Sequence, residues 1–82
     1  MPAAHERLTI RGNLGAGSFL PWVARHAARL GLDGEIHHAD AGRVDIDLRG
    51  PTDLIDAMEM GCLLGPIDVW VETIDRTPNP SA

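Results

Sequence analysis

The 82-residue chain has no lysine, no tyrosine and only one cysteine, Cys62. A single cysteine excludes a disulfide within the chain, which is typical of proteins in a reducing compartment. All seven cations are arginines, set against twelve acidic residues, so the net charge is −5. This balance argues against a nucleic-acid partner, because affinity for a phosphate backbone comes from clustered basic side chains.

Long apolar runs are also missing. No segment approaches the length of a membrane span, and residues 1–7 contain no apolar stretch of signal-peptide length. We therefore expect a cytoplasmic protein without a membrane partner. The length suits a single domain over residues 1–82, and we predict an ordered core over about residues 6–76 with a flexible tail at 77–82.

Alternating and helical apolar patterns define six elements. We predict strands at 8–11, 34–39, 43–49 and 67–74, a helix at 20–30, and a second helix that opens at Thr52 or Asp53 and is ended by Gly61 and Gly65-Pro66. Met58, Met60 and Cys62 are expected to fill the core. The order β-α-β-β-α-β predicts an α+β ferredoxin-like sandwich, in which two helices cover one face of a four-stranded antiparallel sheet.

The segment from Ile10 to Pro21 carries a recognisable pattern. It reads Ile-Arg-Gly-Asn-Leu-Gly-Ala-Gly-Ser-Phe-Leu-Pro and resembles the acylphosphatase signature Gly-x-Val-Gln-Gly-Val-x-Phe-Arg. The match continues without a gap through Ala27, Leu30-Gly31-Leu32, Gly34, Gly42-Arg43-Val44 and Gly50-Pro51, and it covers roughly residues 7–75.

The resemblance implies a hydrolase of acyl phosphates, which produces a carboxylate and inorganic phosphate and needs no metal or other cofactor. In that family the amides of the glycine-rich loop wrap the phosphate, an arginine after the signature phenylalanine grips it, and an asparagine at the end of the second strand positions water. The chain departs from the family at both side chains, because Leu20 stands at the arginine position and His38 at the asparagine position.

The loop itself suits an anion on physical grounds. Backbone amides at the start of a helix form an anion site, and glycine permits the positive φ angles of a nest of amides. The predicted anion-binding residues are Asn13, Leu14, Gly15, Ala16, Gly17, Ser18 and Phe19. Ala16 replaces the glycine in the middle of the family loop, which would strain the backbone if that position required φ above zero. The alternative is that the loop only connects the strand to the helix and binds no anion.

The two substituted positions have different consequences. Leu20 offers neither charge nor donors, and is best explained as an apolar contact near the helix start. Strand alternation places His38 on the same face as Ile36, so we expect it to face the loop, where it would orient water, act as a base or bind an anion. The alternative is a structural histidine bonded to backbone.

No other residue in the sequence is an obvious replacement for the arginine that the family uses. Arg11 and Arg25 are expected to be solvated surface charges. His37 and His38 are adjacent on a strand and should point to opposite faces, so no metal site is predicted.

The sequence thus favours a catalytically degenerate acylphosphatase-like domain with a binding or regulatory role, for a phosphate-type anion or an unidentified protein partner. The alternative is an active or weakly active acylphosphatase whose atypical site uses His38 and the loop amides. Whether the chain is an enzyme is left open by the sequence.

Overall fold

The computed structural model describes residues 4–66 and 68–78. The elements are β1 (Ala4–Asn13), α1 (Phe19–Arg29), β2 (Asp33–Ala39), β3 (Arg43–Gly50), α2 (Thr52–Leu64) and β4 (Trp70–Pro78). The four strands form one sheet in the order β2-β3-β1-β4, and every neighbouring pair is antiparallel. The ferredoxin-like β-α-β-β-α-β sandwich predicted from the sequence is therefore confirmed.

The core lies between the sheet and the two helices. Alternation along the central strands buries Leu8 and Ile10 of β1, and Val44, Ile46 and Leu48 of β3. Helical spacing buries Phe19, Val23 and Ala27 of α1, and Ile55, Met58 and Cys62 of α2. Neither helix among the described residues is long and apolar enough to cross a membrane.

Three glycines influence the helices. Gly31, with φ of 74°, and Gly65, with φ of 61°, follow α1 and α2 in backbone conformations that other residues rarely adopt. The prediction that Gly61 ends α2 is wrong, since the helix continues to Leu64. Gly61 instead leaves space for His26 of α1: a Cβ atom at Gly61 would lie 2.1 Å from His26 Nε2.

Other boundaries also differ from the predictions. Met60 is 66% exposed and does not belong to the core. β4 extends to Pro78, and Thr77 pairs with Arg7, so both Thr77 and Pro78 belong to the strand and not to the predicted tail. Residues 79–82 of that tail and Ile67, the predicted start of the last strand, lie outside the described residues.

Candidate functional site

The glycine-rich loop between β1 and α1 lies against the turn between β2 and β3. The Leu14 amide donates to the Ala41 carbonyl at 2.8 Å, and the Gly12 amide donates to the Gly42 carbonyl at 3.2 Å. This contact follows from the topology, because β1 and β2 are both antiparallel to β3 and so their carboxyl ends meet at one edge of the sheet.

The junction encloses an open pocket of about 280 Å³. Its lining residues are Leu14, Gly15, Ala16, Gly17, Leu20, Ala39, Asp40, Ala41 and Val44. Most of these side chains are aliphatic or absent, and Asp40 is the one charged residue in the set. The pocket therefore combines an apolar wall, the backbone of the loop and a single carboxylate.

The loop backbone is less unusual than the sequence suggested. Within residues 4–66 and 68–78, no residue other than glycine has a positive φ, so Ala16 sits without strain. Gly15 and Gly17 also lack positive φ angles, and the left-handed nest that glycine would permit is not formed there. The glycine that the fold requires is Gly12, with φ of 155° and a position where a Cβ atom would lie 2.1 Å from the Trp70 carbonyl oxygen.

The predicted anion-binding amides divide into two groups. Asn13 pairs with Trp70 in the sheet, Leu14 donates to Ala41, and Phe19 donates to the Ala16 carbonyl at 3.1 Å. By contrast, the amides of residues 15–18 have no acceptor among the described residues. These four N–H groups lie in the loop before α1, whose N-cap is Ser18, and they are available to donate to a ligand.

Ser18 introduces a second carboxylate beside the loop. Its hydroxyl donates to Asp68 Oδ2 at 2.7 Å, which links the start of α1 to the connection between α2 and β4. Ser18 makes no capping bond to its own helix. A negative side chain thus stands close to the end of α1 where the helix dipole favours an anion.

Leu20 occupies the first turn of α1 and lines the pocket, where it is 36% exposed. The position is well placed to contact a ligand held by the loop amides. Its side chain adds apolar surface and supplies no hydrogen-bond donor.

His38 does not line the pocket, and the predicted orientation toward the loop is not what the structure shows. The pairing of β2 with β3 shifts by one residue between Ile36 and His38, so His38 lies opposite Asp45 and Ala39 lies opposite the buried Val44. Residues that face each other across a ladder share one face of the sheet. His38 therefore projects from the face away from the helices, and Ala39 takes the pocket-facing place.

The same register shift changes the argument about a metal. His37 Nε2 lies 2.7 Å from Asp47 Oδ2 on the outer face, so His37 and His38 both project from that face. The alternation of side chains along β2 was expected to send His37 and His38 to opposite faces of the sheet, and it does not do so here. In the part of the chain that the structure describes, no group of three or more histidine, cysteine, aspartate or glutamate side chains is arranged to hold a metal ion.

The arginines do not line this pocket. Arg11 contacts Asp75 at 3.5 Å and Arg43 contacts Asp45 at 3.3 Å, both on the outer face of the sheet. Arg25 is exposed on α1. All seven arginines lie within the described residues, and none of them lines the pocket.

Asp40 makes the pocket negative at neutral pH. Its Oδ2 lies 2.7 Å from His38 Nε2, and its Oδ1 accepts hydrogen bonds from the amides of Gly42 and Arg43. These contacts, with that to His38 the largest, lower the pKa of Asp40 to about 2. The carboxylate is therefore ionised whenever an acyl phosphate is dianionic, and the two would repel each other.

Sequence reasoning did not place either carboxylate beside the loop. The run Asp40-Ala41-Gly42 between two strands predicts a hairpin turn, and an aspartate at its start is a signal that the side chain stabilises the turn. Asp68 had no local signal, since its partner Ser18 is fifty residues away in the sequence.

Comparison with known proteins agrees with this fold. The family model Acylphosphatase matches residues 6–81. A curated protein named Acylphosphatase from Nitrobacter hamburgensis is 31% identical over 73 residues, which are 89% of this chain and 74% of that protein.

Solved structures show the same architecture. An acylphosphatase from Coxiella burnetii superposes with a TM-score of 0.86 at 20% identity, over 95% of this chain and 82% of its own. The acylphosphatase from Bacillus subtilis gives a TM-score of 0.84 at 24% identity, over 95% of this chain and 87% of its own. At these identities the structural likeness shows the fold alone.

Proposed function

The chain belongs to the acylphosphatase family, and we propose that it is a catalytically degenerate member, which keeps the fold and a weak anion-binding loop for a binding or regulatory role. The observation that carries the proposal is Leu20, which lines the pocket while none of the seven arginines does. The proposal places this role in the cytoplasm, where the buried, unpaired Cys62 would stay reduced.

Charge is the physical reason for expecting little catalysis. Phosphoryl transfer and hydrolysis develop negative charge on the phosphoryl oxygens, and an arginine neutralises it with two parallel donors. Here the pocket is lined by Asp40, which is ionised, and by Gly15, Ala16 and Gly17, whose amides have no acceptor among the described residues. Loss of one positioned donor typically costs about a hundredfold or more in rate, and the carboxylate adds repulsion.

Anion binding is a separate question from turnover. The amides of residues 15–18, in the loop before α1, have no partners in the described parts of the chain. Such an array binds phosphate-type anions through neutral hydrogen bonds. Without a cation the affinity should be weak and should fall with salt less steeply than that of an arginine site.

Hydrolysis through an atypical site is the second candidate, and the same free amides favour it. They are suited to hold a phosphoryl group and to stabilise charge on it. His38 would act only indirectly, because its Nε2 contacts Asp40 and its ring projects from the outer face of the sheet.

The experiment is the hydrolysis of benzoyl phosphate by the purified 82-residue chain. We expect a rate little above that of buffer. We expect Leu20→Arg to raise it, and Leu20→Arg combined with His38→Asn to raise it little further, because position 38 faces away from the pocket.

Two histidine variants separate the candidates. His37→Ala and His38→Ala remove neighbouring imidazoles of similar exposure, and only His38 contacts the pocket carboxylate. Rapid turnover by the unmodified chain that is lost in His38→Ala and kept in His37→Ala would overturn degeneracy and establish the second candidate.

A further inference from the structure

A second cavity lies beside helix α1, on the side of β2. Its volume is about 310 Å³, within the range of cavities that bind small molecules. Most of the residues that line it are small or aliphatic, among them Ala24, Ala28, Gly34, Ile36 and Ile46. Asp33 is the one charged residue of this lining in the described part of the chain. The cavity therefore suits an apolar group better than an anion.

The second cavity and the loop pocket lie end to end between α1 and β2. Leu20, which lines the pocket, and Ala24, which lines the second cavity, are one helical turn apart on the same side of α1. On the floor, Val44 of the pocket and Ile46 of the second cavity are alternate residues of β3 and face the same way. We call the space lined by Leu20, Ala24, Ala28, Ile36 and Ala39 the α1–β2 groove.

The register shift in β2 makes the floor of this groove apolar. Ile36 pairs with the buried Ile46, and Ala39 pairs with the buried Val44. Regular alternation from Ile36 would place His38 on this side of the sheet, but the extra residue turns His38 to the outer face and brings Ala39 into the groove. A methyl group thus stands where an imidazole would narrow the passage between the two cavities.

Exposed apolar side chains at both cavities indicate what the groove would hold. Leu20 is 36% exposed at the pocket, and Ile36 is 37% exposed at the second cavity. Bare phosphate at the loop would leave both side chains in water, whereas an anion with an aliphatic chain would cover them and gain the free energy of apolar burial. Leu20 to Ala28 spans about 12 Å at the rise of an α-helix, the length of an extended chain of about eight to ten carbons.

Charge sets the direction of such a chain. The amides of Gly15, Ala16 and Gly17, which have no acceptor among the described residues, lie at one end of the groove. Asp33 lies at the other end, where β2 begins, and would repel an anionic group there. The head group therefore belongs at the loop. Asp40 weakens its binding at that end, so the chain would supply most of the affinity.

We propose that the α1–β2 groove binds the straight aliphatic chain of an acyl phosphate of about eight to ten carbons, with the phosphate at the loop between β1 and α1. This inference rests on the proposed anion-binding role of that loop and adds the class of ligand. It holds whether or not the bound acyl phosphate is hydrolysed.

Amide chemical shifts of the full chain test the proposal with alkyl phosphates, which are stable analogues that keep the phosphate and the chain. The probes are methyl, butyl and octyl phosphate, each below its critical micelle concentration. We expect all three to shift Gly15 and Gly17, and octyl phosphate alone to shift Ala28 and Gly34 as well. From butyl to octyl phosphate, each added methylene should tighten binding about two- to fourfold, because the open groove covers part or all of it.

Ala24→Phe places a ring at the junction of the two cavities. Ala24 is exposed, so the larger side chain is compatible with the fold. We expect this variant to bind octyl phosphate no more tightly than methyl phosphate. Ala57→Phe is the matched control and should keep the full dependence on chain length, because Ala57 is also an exposed helical residue and lines neither cavity. Far-UV circular dichroism checks that both variants fold.

Failure of this proposal can be distinguished from failure of the anion-binding loop. If all three phosphates shift Gly15 and Gly17 with equal affinity, the loop binds anions and the groove does not bind the chain. If octyl phosphate shifts Ala28 and Gly34 but no probe shifts the loop amides, the groove is an apolar site without the proposed head-group contact, and both proposals are wrong. Absence of any shift would likewise overturn both, and a dependence on chain length that survives Ala24→Phe would place the chain outside the groove.

Discussion

Arg7 donates two hydrogen bonds to Asp47 on the outer face of the sheet: Nε donates to Oδ1 at 2.7 Å and Nη2 donates to Oδ2 at 3.2 Å. The two residues lie opposite each other on β1 and β3. The side chain of Asp47 is only 8% exposed. A buried carboxylate needs such a partner, because desolvation penalises its charged form.

This contact predicts how stability changes with pH. The hydrogen bond from Arg7 lowers the pKa of Asp47 below its ordinary value of 3.8. A lowered pKa in the folded state means that the stabilisation is complete above pH 3.8 and is lost as the pH falls through the folded-state value. We therefore expect the difference in unfolding free energy between the unmodified chain and Asp47→Asn to be largest near neutral pH and to shrink below about pH 4.

Urea unfolding at several pH values measures this difference. Asp33→Asn is the control, since Asp33 is exposed and has no ion pair in the described part of the chain. A difference for Asp47→Asn that stays constant from pH 7 to pH 2 would contradict the assignment.

Gly12, near the end of β1, and Gly17, in the loop that follows, allow the same substitution to be compared at two nearby positions. At Gly12, with φ of 155°, a Cβ atom would lie 2.1 Å from the Trp70 carbonyl oxygen and 2.9 Å from the Glu72 nitrogen, and backbone atoms cannot move aside cheaply. We expect Gly12→Ala to lower the free energy of unfolding by about 3 kcal/mol.

At Gly17 nothing lies within 4 Å of a Cβ atom, and φ is not positive. Gly17→Ala should therefore be neutral or stabilise the fold by up to about 1 kcal/mol, because it restricts the unfolded chain. Thermal unfolding of the two variants measures both effects. Equal losses of stability at the two positions would contradict the prediction that only Gly12 lacks space for a Cβ atom.

The sequence predicted the fold well because its signals are local. Alternation in β3 and the helical stripe of α1 each identify an element without knowledge of the rest of the chain. The prediction that Arg11 is a surface charge also follows from alternation, and the structure places Arg11 against Asp75 on the outer face.

The orientation of His38 was wrong because alternation fails at a register shift. One extra residue between Ile36 and His38 moves every later side chain of β2 to the other face. Nothing in the sequence marks that residue. The same limit applies to Gly61, whose role depends on His26 thirty-five residues earlier in the chain and not on its own helix.

Gly61 and His26 make that dependence testable. In an ordinary helix interior, substitution of glycine by alanine raises the free energy of unfolding by about 1 kcal/mol. Here the new methyl group would lie 2.1 Å from His26 Nε2, and overpacking costs roughly 1–3 kcal/mol. We expect Gly61→Ala to destabilise the chain by about 1 kcal/mol.

The effect of Gly61→Ala on stability should change sign once the imidazole of His26 is removed. In a His26→Ala background, Gly61→Ala should stabilise by about 1 kcal/mol, since only the helix propensity remains. Chemical denaturation of the unmodified chain, the two single variants and the double variant measures both effects. Additive effects would mean that the two residues do not contact in solution.

Phosphate binding at the loop depends on position 20. Leu20 lines the pocket together with Gly15, Ala16 and Gly17, so an arginine there would add a permanent charge and two donors to an array of neutral ones. We expect inorganic phosphate to shift the amide resonances of Gly15, Ala16, Gly17 and Ser18 weakly in the unmodified chain. Leu20→Arg should bind phosphate about tenfold or more tightly, which corresponds to one charged contact.

Leu20→Met is the matched control, because it keeps a long apolar side chain without the charge. Resonances of Gly31 and Gly65, which lie outside the pocket, report on any general effect of salt. If Leu20→Met tightens binding as much as Leu20→Arg, charge at position 20 is not what the pocket lacks. If phosphate shifts none of the four loop amides in Leu20→Arg, then Asp40 and Asp68 exclude anions from the start of α1 whatever residue stands at position 20.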